Sequence, residues 1–235
     1  MAYLSRIPLD PMRSGTRKLL ENPQAMHAAV LGGVSVQPVT ERVLWRLEQS
    51  RDACNVLVQT ESAAPTWENL IDQAGICGDS PATFRVADMG ALLEHLDEGS
   101  EFAFRLRANP TSSTKTPLNP TPNQQSRLAQ LARPRGVRVG HRTADAQLRW
   151  FLERASGGKS RWGFSVDISG EPRVTLMGRE SVWFFKGGHR VSLATATFAG
   201  RLVVTDVALF REHLLGGIGP AKAYGCGLLT LGPVG

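Results

Sequence analysis

Apolar and β-branched positions open the chain over 2–9 as a strand, which Pro8 and Pro11 close. A short basic segment with Arg13, Arg17 and Lys18 follows and predicts a first helical turn or two. Asn22-Pro23 then reads as a helix N-cap with proline in the first turn, and Gly32-Gly33 as the stop, so 24–31 is a helix. Residues 40–48 alternate Val43, Trp45 and Leu47 against Arg42, Leu44 and Arg46, the period of a strand with one buried face, and 54–60 is its partner. Helical pieces over 65–71 and 87–96 flank a Gly/Pro-rich interruption, and 101–108 is an alternating strand with Arg105 and Arg107 on one face. The order β-α-β-β-α-β is that of the ferredoxin-like unit on which RRM modules are also built.

From 109 to 141 the composition shifts to Pro, Thr, Ser, Asn, Gln and Arg, with Arg135 and Arg138 among its cations, and predicts a basic linker of limited structure. Thr143 begins a capped helix through 155, with Leu148, Phe151 and Leu152 on its apolar stripe and Gly157-Gly158 as its stop. Strands over 162–168, 174–177, 181–186, 190–197 and 202–205 follow, the tight turn Lys186-Gly187-Gly188-His189-Arg190 making a hairpin. A helix over 206–215, with Asp206 as its N-cap, and a strand over 227–231 complete a second unit of similar type. The expected fold is α+β: two tandem ferredoxin-like (RRM-like) βαββαβ units over 1–108 and 142–235, joined by the basic linker 109–141.

The last helix and strand enclose a glycine-rich loop carrying Gly217, Gly219, Gly225 and Gly227, with Lys222 and Tyr224 interleaved. A dinucleotide fingerprint must follow a strand and open a helix, and a Walker A loop needs Gly-Lys-Ser/Thr, so this loop is neither. Glycines permit close backbone approach and free N–H groups suit a polyanion; a helix C-cap and tight turn with no ligand is the competing reading.

Lys and Arg number 27 against 21 Asp and Glu, a formal net charge of +6, which favours a polyanionic partner. The three cysteines, Cys54, Cys77 and Cys226, form no C-x-x-C pair, which fits a reducing cytoplasm. No apolar run approaches a membrane span and 1–10 has no signal-type apolar region. Zinc-protease, EF-hand and G-x-S-x-G patterns are missing, as is a carboxylate cluster for two-metal catalysis, so neither metal nor cofactor is expected. On the residues alone His27 is either a packing or surface histidine or a titrating group near a helix start.

Gly217-x-Gly219-Pro220-x-Lys222-x-Tyr224-Gly225-x-Gly227-Leu228 resembles the C-terminal glycine-rich loop of the CRISPR repeat-processing endoribonucleases of the CasE type. Tyr3-Leu4-Ser5-Arg6-Ile7, Asn22-Pro23-Gln24-Ala25-Met26-His27, Val43-Leu44-Trp45-Arg46-Leu47, Leu57-Val58-Gln59-Thr60 and Phe104-Arg105-Leu106-Arg107-Ala108-Asn109-Pro110 resemble the same family in its order. The resemblance implies a metal-independent endoribonuclease that binds the hairpin of CRISPR repeat RNA and cuts at its 3′ base by 2′-hydroxyl attack. Its products would be a 2′,3′-cyclic phosphate and a 5′-hydroxyl, and it would keep the mature guide RNA as a subunit of the type I-E surveillance complex. His27 occupies the place of the family's catalytic histidine. Family members often carry a Tyr three residues earlier, where this chain has Gln24; Gln24, Arg17 and Lys18 are the candidates for catalytic support. Arg13, Arg135, Arg138, Arg142, Lys186, Arg190 and Lys222 are the candidate RNA contacts. A non-catalytic subunit that only holds the RNA hairpin, and an interaction protein with an incidental basic face, are the alternatives.

Overall fold

The computed structural model describes the chain except residues 62–63, 77–82, 130–135, 157–159 and 235. Arg135, Cys77 and the Gly157-Gly158 stop therefore lie outside the described residues. The first elements are β1 (Tyr3–Leu9), α1 (Ser14–Glu21), α2 (Pro23–Gly32), β2 (Leu44–Gln49), β3 (Cys54–Thr60), α3 (Glu68–Ala74), β4 (Arg85–Asp88) and α4 (Gly90–Glu94). The strands form an antiparallel sheet in the order β2-β3-β1-β4. Alternation turns Ile7, Leu9, Val56 and Val58 toward α1, α2 and α3, whose Leu19, Met26, Val30 and Leu70, with Trp67 just before α3, close the first core.

The second half contains β5 (Glu101–Ala108), β6 (Thr111–Thr114), α5 (Pro122–Ala129), β7 (Val137–Gly140), α6 (Ala144–Ala155), β8 (Phe164–Ser165), β9 (Asp167–Ile168) and β10 (Glu171–Pro172). The long β11 (Val174–Lys186) and β12 (His189–Val204), then α7 (Val207–Gly216), a 3₁₀ turn (Lys222–Tyr224) and β13 (Leu229–Gly232) end the chain. A second antiparallel sheet runs β11-β12-β5-β13, with β8 pairing onto β12. Its core is aromatic: Phe151 of α6 stacks on Phe198 of β12 at 4.5 Å between centroids, and Trp162, Phe164 and Phe210 surround them.

The two sheets are tied by buried polar groups. Arg46 on β2 is 2% exposed and donates to the carbonyls of Arg105 (2.8 Å) and Leu228 (3.0 Å), and to Glu48 (2.6 Å) and Thr230 (2.8 Å). Gln59 on β3 donates to the carbonyls of Leu214 and Leu215 at the end of α7, satisfying acceptors that the helix leaves open.

Several expected elements differ. Residues 101–108, expected to close the first sheet, lie between β12 and β13 in the second; that first sheet closes on β4, in a region expected to begin a helix at 87. An expected boundary after residue 108 thus falls behind a strand of the second sheet. The 109–141 segment carries α5 and the ribbon β6-β7, where Thr111 to Thr114 pair with Val137 to Gly140. The expected strands 174–177 and 181–186 are one strand, with a register shift between Leu176 and Gly178 that breaks the alternation. The 190–197 and 202–205 strands are likewise one, and Gly200 bridges them because the Arg173 carbonyl oxygen stands 2.0 Å from where a Cβ would sit. Residues 162–168 form only the short β8 and β9. No helix among the described residues is long and apolar enough to cross a membrane.

Candidate active site

His27 is carried by α2, whose start follows from local chemistry. Asn22 Oδ1 accepts the Gln24 N–H at 2.9 Å, and Pro23 occupies the first turn, where no backbone N–H partner is needed. Met26 and Val30 anchor the helix in the first core, leaving His27 half-buried on its flank. Its Nδ1 is buried, with no hydrogen-bond partner among the described residues. Burial first, and then the charge of Lys186, hold the imidazole below its usual pKa.

Lys186 arrives from the far half of the chain on the β11-β12 hairpin. Lys186 pairs with His189 across a two-residue turn in which Gly187 (φ 54°) and Gly188 (φ 78°) are both left-handed, as a type I′ hairpin requires. Phe184 lies on the same strand face, is buried, and packs its ring 4.6 Å from that of Tyr224. Lys186 Nζ donates to the Tyr224 phenol oxygen at 3.2 Å.

Tyr224 comes from the glycine-rich loop, which here folds on itself. Ile218 donates to the Gly227 carbonyl, Gly227 donates to the Arg107 carbonyl of β5, and Lys222 Nζ donates to the Gly219 carbonyl at 2.8 Å. Gly217, Gly219, Gly225 and Gly227 all have positive φ, and a Cβ on Gly225 would meet the Trp45 ring at 2.8 Å. The loop packs its 3₁₀ turn against α2 and β2. Beside it, between the two sheets, opens a cleft of about 430 Å³ walled in part by Pro23, Met26, Trp45 and Tyr224.

The expected site residues are thus distributed unevenly. Lys186 lies near enough to His27 for its charge to act on the imidazole, and it bonds Tyr224, whose position inside the glycine-rich loop was the one sequence signal for it. Lys222 is partly enclosed in the loop, and burial, with Arg42 and Arg138 nearby, lowers its pKa. Arg13 caps α3, donating to the carbonyls of Ile71 (3.1 Å) and Gly75 (3.0 Å) as well as Asp72, so its guanidinium is committed to the fold. Arg17 and Lys18 are exposed on α1, while the Gln24 side chain is half-buried beside the helix start. Arg138 and Arg142 are exposed on β7 and the turn before α6, and Arg190 stacks over Trp183, 5.1 Å from the ring centroid. Among the described residues no group of three or more His, Cys, Asp or Glu is placed to hold a metal ion.

A family model described as "CRISPR associated protein" matches residues 2–233. The CRISPR-associated endoribonuclease Cse3 of Thermus thermophilus is 30% identical over 98% of this chain and 100% of its own length. The CRISPR system Cascade subunit CasE of Escherichia coli is 33% identical over 59% of this chain and 61% of its own. The solved structure of Thermus thermophilus Cse3 bound to an RNA representing a pre-cleavage complex superposes with a TM-score of 0.71, at 28% identity over 99% of each chain. The chain belongs to the Cse3/CasE family of type I-E CRISPR endoribonucleases.

Proposed function

We propose that this chain binds the hairpin of CRISPR repeat RNA, cleaves at the hairpin's 3′ base, and stays with the product as a subunit of the type I-E surveillance complex. The charge of Lys186 on the hairpin reaching His27 on α2, with the turn that carries Tyr224 packed against that same helix, carries this reading. Family membership supports it, as do the RNA held by the Thermus relative and the Cascade membership of the Escherichia relative.

In the reaction the 2′-oxygen attacks the adjacent phosphorus and the bond from phosphorus to the 5′-oxygen breaks, leaving a 2′,3′-cyclic phosphate and a 5′-hydroxyl. One proton leaves the 2′-hydroxyl and one reaches the departing oxygen. His27 handles one of them, and Lys186 stands against the charge that builds on the phosphate. The exposed cations Arg17, Lys18, Arg138, Arg142 and Arg190 supply phosphate contacts to the duplex, whose A-form is read through its shape and backbone.

We further infer two ferredoxin-like units, because both four-stranded orders place the first and third strands centrally and the second and fourth at the edges. The first unit then ends before β5 and the second begins with it.

The test is single-turnover cleavage of a repeat hairpin RNA in EDTA. His27→Ala should slow it by about 10² to 10⁴ with binding retained, and a 2′-deoxy group at the cut site should stop it. Undiminished cleavage by His27→Ala would move the chemistry elsewhere. Tight binding without cleavage by the wild type would leave a non-catalytic hairpin-binding subunit.

A further inference from the structure

We propose that Tyr224 is a catalytic residue: its phenol donates a hydrogen bond to a non-bridging oxygen of the scissile phosphate, with Lys186 holding the phenol oxygen from behind. The inference rests on the endoribonuclease reading above and names a second group at the same site.

Three observations place the phenol there. Lys186 Nζ stands 3.2 Å from the Tyr224 oxygen and donates to it. An ammonium has only protons to give, so the phenol oxygen is the acceptor in that bond and its own O–H remains available to a third group. The 3₁₀ turn that carries Tyr224 packs against α2, the helix of His27, and Tyr224 shares the wall of one cleft with Pro23 and Met26 of that helix. The phenol and the ammonium bonded to it therefore stand beside the helix that carries the imidazole.

The ring is also held firmly. Phe184 packs 4.6 Å from it, and the residues on either side of the turn, Ala221 (φ 67°) and Gly225 (φ 75°), are both left-handed. A backbone so constrained, with Gly225 tight against Trp45, positions one side chain rather than sampling many.

During the reaction the 2′-oxygen forms its bond to phosphorus while the bond to the 5′-oxygen breaks, and negative charge gathers on the non-bridging oxygens. The phenol proton stays on Tyr224 throughout and stabilises that charge as a hydrogen-bond donor; proton transfer belongs to His27. Such donors act where charge develops and leave ground-state binding almost unchanged.

Tyr224→Phe keeps the ring and its packing and removes only the hydroxyl. The experiment compares its single-turnover rate at saturating repeat hairpin RNA with that of the wild type and His27→Ala, and measures binding separately with the uncleavable 2′-deoxy RNA. The expected result is a loss of about 100-fold in rate for Tyr224→Phe, the usual cost of one oxyanion donor, with RNA affinity and melting temperature within error of the wild type. Wild-type rate in Tyr224→Phe, alongside a crippled His27→Ala, would overturn this inference and leave the underlying reading intact. Full activity in both variants would overturn this inference and move the chemistry away from His27, and no activity in the wild type would overturn both this inference and the reading beneath it. A rate loss matched by an equal loss of affinity would make Tyr224 a binding residue and overturn its catalytic role.

Discussion

At the scale of the residue, His27 is a half-buried imidazole with a cation nearby, and both features disfavour its charged form. Lys186→Met removes the second cause and leaves the first, so the imidazole pKa should rise toward, but stay below, the ordinary value. A histidine proton titration by NMR reads this directly: the wild-type midpoint lies below 6.5, the usual value, and the variant midpoint lies higher. An unmoved midpoint would mean that the lysine charge does not reach the ring. For stability the sign is equally definite. The unfolded histidine takes a proton more readily than the folded one, so the contribution of His27 is complete above its unfolded pKa and declines as pH falls toward the lowered folded value. Gln24 stands where the resemblance implies a Tyr, and the phenol proposed above, Tyr224, comes from the other end of the chain.

At the scale of the element, the glycine-rich loop acts as a mount. Gly225 combines a left-handed backbone with a Trp45 ring that leaves no room for a Cβ. Gly225→Ala would meet both penalties, and the left-handed backbone alone costs about 1–2 kcal/mol. The loop should shift away from β2 and carry Tyr224 out of reach of Lys186. Cleavage should then fall by at least the loss seen in Tyr224→Phe, while circular dichroism retains the strand and helix signal. Full cleavage by Gly225→Ala would show that the loop's exact course is immaterial to the chemistry. The hairpin is the second mount: its two-residue turn brings Lys186 to the tip, and its other face carries Trp183 and Phe185, both exposed, with Arg190 over the indole.

At the scale of the molecule, the site exists only because two sheets are held together. Arg46 is the principal clasp, reaching from β2 to main-chain carbonyls of β5 and the segment before β13. Arg46→Met keeps an unbranched side chain but removes a donor from the Leu228 and Arg105 carbonyls, the latter still accepting from the Thr230 hydroxyl at 3.3 Å, and leaves Glu48 without its closest cation. The expected loss is about 3 kcal/mol, seen as a lower urea midpoint, since a buried charge network broken on one side exposes the remaining partners to their full desolvation cost. An unchanged midpoint would show that Arg46 is not what holds the two sheets together.

Signals that act within a few residues were legible in the sequence. The Asn22-Pro23 start of α2 and the Asp206 and Thr143 caps of α7 and α6 each depend on a side chain meeting backbone next to it in the chain, and the Gly187-Gly188 turn depends on the left-handed φ that glycine permits. The placement of His27 follows from the first of these, and that of Lys186 at a hairpin tip from the last. What only the tertiary structure decided is partnership. A period of two tells which face of 101–108 is buried but not which sheet it enters, and its eight residues found β12 and β13 rather than β1. The four-residue β4 is too short to display a period at all, and pairing with β1 made it a strand. Arg13 and Lys222 were legible as cations, yet nearby carbonyls claimed both. Tyr224 meets Lys186 only because a loop and a hairpin distant in sequence come within hydrogen-bonding reach, a juxtaposition set by the packing of the whole chain.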